Sequence, residues 1–568
     1  MHRTNNSEWT NRFAKRPNRT PAGKEEDRGG STSGLKRFLA LSLRTGLLLT
    51  LYALLDRWLT RLTAIPERGY EEAFLVFELG KRLMSLNPAA LASMLLMVGA
   101  IGVGLWFRSL GPRWSSFTYG PLVRRLVVVI AFVLAWSYAT YDYNFYFDQT
   151  HGVDRLILLA LVPLLCWRPA FVFPFLLVLL PMLRQFDYPI GDYSWSEPVL
   201  LVRALMLFGA LWLTRLVSGR IRTADFFFVL CCLVASFYWV PGLGKLDLYW
   251  IASDRLYYLL PATYANGWLG FLSPEAVARF TKAFSYLNTP MKIGTLLLEA
   301  GALFCLWRRS LLTGFLVGWI VLHIGIFFVT GIFFWKWITL DAAILVLFFT
   351  KHRPRFEIFT RAHFVVSLIL IGGATLWFKP VELAWYDARM SYTYRFEAVG
   401  TSGKTYTLSP RFFSPYDYQF TLSGFTYLSH QPRLSVAWGA TRNRNVAEAL
   451  NASTTPSEIW NLEREMGREG YDPRRSAAFD DFIREFVTNW CKHGGELRWW
   501  HLLQAPPQLW TFSPDAGPDE GEQIAKVIGY EVTSLYDDSR YREIRKRRVR
   551  IINPEASDEG MSLQSRFR

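Results

Sequence analysis

The stretch "PGLGKLDLYW", residues 241–250, places one lysine at the end of a long apolar run. A lysine held in apolar surroundings can serve as a general base. Lys245 therefore has the side chain and the setting of a catalytic base, and Trp250 follows it closely. The plainer interpretation is an anchor, in which a lysine at a helix end reaches out to the lipid headgroups.

Other ionisable residues interrupt the apolar runs. Glu299 and His323 lie within two of them, and Lys336 and Asp341 lie near the start of another. Each such group costs roughly 2.5–3.5 kcal/mol to place in a bilayer and usually faces a cavity or a partner. We therefore expect them to meet Lys245 in one shared polar chamber at one end of a helix bundle.

Histidines outside the apolar runs are weaker candidates. His151 and Asp148 lie in the loop "DYNFYFDQTHGVD", from which His151 could reach the same chamber or simply hydrogen-bond within its loop. His493 and His501 are interpreted as surface or structural residues. The five cysteines form no CxxC pair, and no metal site is predicted.

Eleven apolar runs must position these groups, and most of them approach the roughly 20 residues that a helix needs to cross a bilayer. The fold class predicted is an all-α polytopic membrane bundle of about 11 apolar segments, with a C-terminal α+β domain outside the membrane. The fourth and fifth runs are short and form a hairpin broken at residues 167–169. The runs are 38–56, 91–107, 123–141, 155–167, 170–183, 198–216, 225–242, 293–307, 311–331, 335–350 and 363–379.

The net charge of +16 comes from basic residues whose distribution along the chain indicates membrane topology. Lysines and arginines concentrate in alternate short loops, which is the positive-inside pattern. The pattern predicts a cytoplasmic N-terminus and a C-terminus outside, in a multi-pass protein of a bacterial inner membrane. No nucleic-acid motif accompanies the charge, so no nucleic-acid partner is expected.

Changes in composition along the chain divide it into four parts. Residues 1–34 are a polar tail, 35–379 the membrane domain, 380–554 an α+β domain and 555–568 a second polar tail. Ser273 is expected to cap an interfacial helix, and Thr455 with Glu458 forms a capping box. A turn at residues 400–403 indicates a hairpin, Gly494 ends a helix, and 496–512 and 525–552 are strand-like.

The stretch "GLGKLDLYW" resembles the G-x-x-K-L-x-x-x-W pattern of the HTTM superfamily, the membrane domain of vitamin K-dependent γ-carboxylases and their bacterial relatives. "YNFYFDQTHGVDRLILLAL" and "LHIGIFFVTGIFFWKWITL" are similar to the family's two histidine-bearing segments. The resemblance covers roughly residues 38–379. It departs at Gly244, where the carboxylases usually have a second lysine, and the domain after residue 380 does not match theirs.

The resemblance implies that Lys245 deprotonates vitamin K hydroquinone or menaquinol, while His151 and His323 stabilise the anion. Glu299, Trp250 and Asp341 are the residues expected to bind this cofactor. The partners expected are a membrane lipid or quinone and, at the outer domain, a protein substrate or partner. The alternatives are a transporter that uses the polar cluster as a binding site, and a membrane anchor in which the cluster packs helices. The chain shows no inverted repeat of the transporter kind.

Overall fold

The computed structural model describes residues 30–84, 112–191, 196–217, 221–349, 356–495, 503–512, 517–519 and 521–554. The helices are α1 Gly30–Leu62, α2 Leu75–Met84, α3 Gly120–Ala139, α4 Gly152–Trp167, α5 Val172–Arg184, α6 Ser196–Val217, α7 Thr223–Asp247, α8 Trp250–Ser253, α9 Leu259–Ala265, α10 Pro274–Ser285, α11 Asn288–Ala300, α12 Arg309–Thr330, α13 Trp335–Phe349, α14 Arg361–Gly372, α15 Ala374–Trp377, α16 Asp417–Leu422, α17 Arg444–Ala452, α18 Pro456–Met466 and α19 Pro473–Lys492. The strands are β1 Tyr386–Asp387, β2 Met390–Gly400, β3 Thr405–Leu408, β4 Pro432–Arg433, β5 Ala440–Thr441, β6 Arg468–Glu469, β7 Ile524–Tyr536 and β8 Tyr541–Ile552.

Within these residues, seven helical segments are long and apolar enough to cross a membrane. The expected number of about eleven is not confirmed. The fourth and tenth runs form helices α4 and α13 of only 16 and 15 residues, and the last run forms α14 of 12 residues. The run 91–107 lies outside the described residues. The seven segments are Gly34–Leu62, Gly120–Ala139, Pro169–Asp187, Glu197–Leu216, Thr223–Asp247, Asn288–Trp307 and Arg309–Thr330.

Helix α7 lies at the centre of the bundle. It is apolar on all sides over most of its length, as expected of a helix that other helices surround, and it packs against α1, α6, α11 and α14. Asp225 in its first turn accepts hydrogen bonds from Arg44 of α1 and from the backbone of Arg222. The other end of α7 carries Lys245 and faces the C-terminal domain.

A four-stranded antiparallel sheet forms the centre of the C-terminal domain, in the order β3-β2-β7-β8. In the long antiparallel pair β2–β7, residues 390–400 lie beside residues 535–524. The sheet therefore joins the beginning of the C-terminal domain to its last strands. Helix α19 packs on this sheet through Phe479, whose ring contacts Phe396 of β2. The predicted α+β composition of this region is therefore found.

The local signals read from the sequence are confirmed at several element ends. Ser273 caps α10, and Thr455 with Glu458 forms the capping box of α18. Strands β2 and β3 form the predicted hairpin, in which Gly403 adopts the left-handed conformation at φ +81°. Gly494, at φ +63°, follows the end of α19. The two predicted tails lie almost entirely outside the described residues, and His501 lies wholly outside them.

An extended strap, residues 503–512, joins the C-terminal domain to the helix ends. Its backbone pairs with residues 331–333 between α12 and α13, and the Trp335 indole donates to Pro506 O at 3.0 Å. At its start the Trp136 indole of α3 donates to Leu503 O at 2.7 Å. This part of the predicted strand-like region 496–512 thus pairs with the membrane helices and not with the main sheet.

Candidate functional site

Lys245 and Glu299 form an ion pair at the junction between the helix bundle and the C-terminal domain. Lys245 Nζ donates to Glu299 Oε2 at 2.7 Å and to Oε1 at 2.9 Å. The side chains are only 13% and 10% exposed. The third hydrogen of the ammonium group is donated to the Leu383 carbonyl at 3.2 Å. An ammonium has three donors, so all of them are used.

The two glycines before Lys245 allow this contact because they have no side chain. Both lie inside α7 and allow close packing. A Cβ atom on Gly242 would lie 2.5 Å from the backbone nitrogen of Ala300, and one on Gly244 would lie 2.9 Å from the Ala384 Cβ. Helix α11 and the chain around residue 384 can therefore approach α7 closely enough to reach Lys245.

Trp250 completes the surroundings of the Lys245 ammonium. The centre of its ring lies 5.5 Å from Nζ, within range of a cation–π contact. The ring is buried. It belongs to the first residue of α8, directly after Tyr249, which adopts the left-handed conformation. Three of the predicted residues, Lys245, Glu299 and Trp250, are thus brought together.

Residues 382–387, which we call the cap segment, cover the Lys245–Glu299 pair on the side that faces the C-terminal domain. Leu383 accepts from Lys245, and Ala384 lies against Gly244. Tyr386 Oη donates to the carbonyl of Leu248 at 2.7 Å. The cap segment is therefore attached to the end of α7 at three positions.

A second cluster lies on the same face of α7, two turns before Lys245. Tyr238 is seven residues from Lys245, which corresponds to about 10 Å along the helix axis. Its hydroxyl donates to Asp341 Oδ2 at 2.7 Å and lies 3.4 Å from His323 Nδ1. Its ring is stacked on Trp319, with centroids 4.1 Å apart and planes 3° from parallel. The predicted residues His323 and Asp341 meet here.

One oxygen of Asp341 has no hydrogen-bond partner among the described residues. Asp341 is fully buried, and its Oδ1 atom is the one without a donor. A buried polar atom without a partner is costly, particularly within a membrane. The second cluster therefore has an open hydrogen-bonding position that a bound hydroxyl group or water would fill.

His151 contacts a different set of residues. Its Nε2 donates to the Tyr70 carbonyl at 3.0 Å, in a loop that precedes α4, and α4 packs against α3 and α5. Burial lowers the pKa of His151 to about 4, so the ring is neutral at pH 7. The structure does not bring His151 into contact with Lys245 or with His323.

The polar groups thus form separate hydrogen-bonded clusters, and those of Lys245 and Tyr238 lie about 10 Å apart along α7. Lys336 forms its own buried ion pair with Glu197, at 2.6 Å. Asp148 accepts from Lys492, His493 and Tyr143 and so joins the loop of His151 to α19. His493 is a structural residue, as the sequence indicated.

Sequence reasoning missed Tyr238, although its seven-residue spacing from Lys245 places both on one helix face. It also missed Asp254 and Asp387, which come from different domains and have no shared local pattern.

The fold and these clusters define a multi-pass membrane protein with a C-terminal domain built around a β-sheet. Comparisons with protein-family models, with curated proteins and with solved structures find no match for this chain.

Proposed function

We propose that the protein is an integral membrane enzyme that activates a quinol-type lipid by proton transfer at Lys245. The proposal rests on the resemblance to the HTTM superfamily together with one observation, the buried Lys245–Glu299 pair beneath the cap segment. We further propose the orientation that the loop charges predict, with a cytoplasmic N-terminus and the C-terminal domain outside a bacterial inner membrane.

The chemistry that the pair can perform is a proton transfer in two steps. Lys245 Nζ passes a proton to Glu299 Oε2 across their 2.7 Å contact, and both groups become neutral. The neutral amine then accepts a proton from an acidic hydroxyl group and becomes an ammonium again, while the hydroxyl becomes an anion. The amine rotates about its Cε–Nζ bond between the two steps, so that its lone pair faces the substrate hydroxyl. The hydroxyl takes the place of the Leu383 carbonyl, which at 3.2 Å is the longest hydrogen bond of Lys245.

In this proposal the second cluster binds the ring of the quinol. The Tyr238 and Trp319 rings provide an aromatic surface, and Asp341 Oδ1 offers an acceptor without a donor among the described residues. A quinol-type lipid such as vitamin K hydroquinone or menaquinol supplies an acidic hydroxyl and an oxidisable ring when bound. Glu299, Trp250 and Asp341 are the residues proposed to hold it. The role of His151 in stabilising an anion stays a prediction, because its contacts lie elsewhere.

The test is an anaerobic absorbance titration of the purified full chain with vitamin K hydroquinone, which detects the anionic form of the quinol. We expect a red-shifted anion band with the natural protein and its loss in Lys245→Met. The matched control is Lys336→Met, which breaks the other buried lysine–glutamate pair of the bundle. Its anion band is expected to be retained.

Two results would contradict the proposal. One is an anion band of equal size in Lys245→Met, and the other is the absence of quinol binding by the natural protein. Quinol-independent solute flux in proteoliposomes, lost in Lys245→Met, would favour the transporter instead.

A further inference from the structure

Two buried carboxyl groups meet where the C-terminal domain contacts the bundle. Asp254 follows α8 in the connection between α7 and α11, and Asp387 lies in β1 at the end of the cap segment. The backbone N–H of Asp387 donates to Asp254 Oδ1 at 2.7 Å. The two residues are 3% and 2% exposed, and their carboxyl groups are within hydrogen-bonding reach of each other.

An ionised carboxylate can only accept hydrogen bonds. Asp254 Oδ2 has no donor among the described residues, so a proton on one of the two carboxyl groups is what would satisfy it. Two carboxylates within hydrogen-bonding reach of each other repel strongly when both are ionised. The geometry therefore favours a pair that holds one proton between them, as coupled acids do.

Cationic groups lie near the pair. Lys292 of α11 donates to the carbonyls of Ile251 and Asp254, both at 2.7 Å, which places its ammonium beside the pair. Arg255 is the next residue along the chain, and Lys245 acts electrostatically on Asp387. Burial first, and then the charge of Asp254, raise the pKa of Asp387 above its usual value. Burial likewise raises the pKa of Asp254.

The pair also lies next to the Lys245 site. Asp387 is four residues after Leu383, whose carbonyl accepts from Lys245, and both belong to the cap segment. The Trp385 indole donates to Asp387 Oδ1 at 3.1 Å, so the carboxyl group is connected to the middle of this segment. A change at the pair therefore acts on the residues that cover Lys245.

We propose that Asp254 and Asp387 share one proton, and that this proton keeps the cap segment closed over Lys245. Loss of the proton leaves two facing carboxylates, and their repulsion opens the segment. That the opening controls access of a substrate to Lys245 rests on the proposed function. The shared proton and the opening of the cap segment are independent of that function. The pair is then a proton-binding site at the domain junction that admits substrate as the pH rises.

The experiment is hydrogen exchange of the full chain across pH, followed by mass spectrometry of residues 383–389 and corrected for intrinsic exchange. Opening releases one proton, so the opening constant of this segment should rise by up to about tenfold per pH unit as the pH rises above the usual carboxyl pKa of about 3.9. The internal control is the strap, residues 505–512, whose backbone hydrogen bonds to Gly331 and Phe333 involve no titrating side chain.

The decisive variant is Asp387→Asn, in which the side-chain amide can donate to Asp254 without titrating. We expect its opening constant to be independent of pH and as low as that of the natural protein at acidic pH. If this variant does not fold, Asp254→Asn places the same kind of donor on the other side. Opening that is independent of pH in the natural protein, or an unchanged pH dependence in the folded variant, would overturn the proposal. The measurement uses no quinol, so it fails or succeeds separately from the proposed enzyme activity.

Discussion

Gly242 lies directly against the backbone of Ala300, and this contact sets the distance between α7 and α11. A Cβ atom at position 242 would lie 2.5 Å from the Ala300 nitrogen and 2.8 Å from the Glu299 carbonyl carbon. Lys245 follows Gly242 by about one turn of α7, and Glu299 directly precedes Ala300 on α11. The closeness of the two helices at the glycine thus brings the ion pair within hydrogen-bonding distance.

Gly242→Ala tests this packing. The added methyl group meets backbone, which cannot rotate away, so we expect a loss of about 1–3 kcal/mol in the free energy of unfolding. The measurement is denaturant or thermal unfolding in detergent. The control is Gly294→Ala in α11, where no atom lies within 4 Å of the added carbon. Equal stability of the two variants would show that α7 and α11 are not closely packed.

The Lys245–Glu299 pair makes a second prediction about stability. Removal of one partner leaves a buried charge unpaired, so Lys245→Met should cost about 3–5 kcal/mol. The double variant Lys245→Met/Glu299→Leu removes both charges and should recover most of that loss. A double-mutant cycle on unfolding free energies measures the coupling. Additive effects of the two substitutions would indicate that the groups do not interact.

Features that depend on neighbouring residues could be predicted from the sequence, whereas contacts between positions far apart in the chain could not. The capping residues Ser273 and Thr455 act within a few residues, and they were predicted correctly. The apolar runs indicated a multi-pass helical protein, whereas their expected number of about eleven is not confirmed. The contact of Gly242 with Ala300 joins positions far apart in the chain, so no local pattern could predict it. The shared chamber was expected from similar depths in the membrane. Depth alone does not determine which face of a helix a side chain occupies.

His151 should make stability depend on pH. Its pKa is lowered by burial to about 4, whereas an unfolded histidine has a pKa of about 6.5. The unfolded state therefore binds a proton first, and stability is lost as the pH falls from about 6.5 to about 4, by roughly 3 kcal/mol. His151→Asn should remove this part of the pH dependence, since asparagine tolerates the left-handed backbone at φ +47°. A pH series of unfolding midpoints that is identical in the two proteins would contradict this expectation.

Asp148 should have its effect at lower pH. Burial disfavours its ionised form, but hydrogen bonds from Lys492, Tyr143 and His493 outweigh burial and lower the pKa of Asp148. Its contribution is present above the usual carboxyl pKa of about 3.9 and is lost as the pH falls further. Asp148→Asn should cost roughly 1 kcal/mol at pH 7, because the site is partly exposed. The same substitution should cost nothing once the carboxyl is protonated. An equal cost at neutral and strongly acidic pH, in unfolding measurements, would rule out the ionic contribution.

The most direct test of the central claim is whether the protein retains a quinone through purification. Lipids extracted from the folded full chain are analysed by mass spectrometry and the quinone is counted per chain. We expect close to one quinone per chain for the natural protein and for Lys336→Met, and a clear loss for Lys245→Met and Asp341→Asn. A quinone content no higher than that of the surrounding lipid, or the same content in all four proteins, would contradict the account of Lys245 as the base of a quinol site.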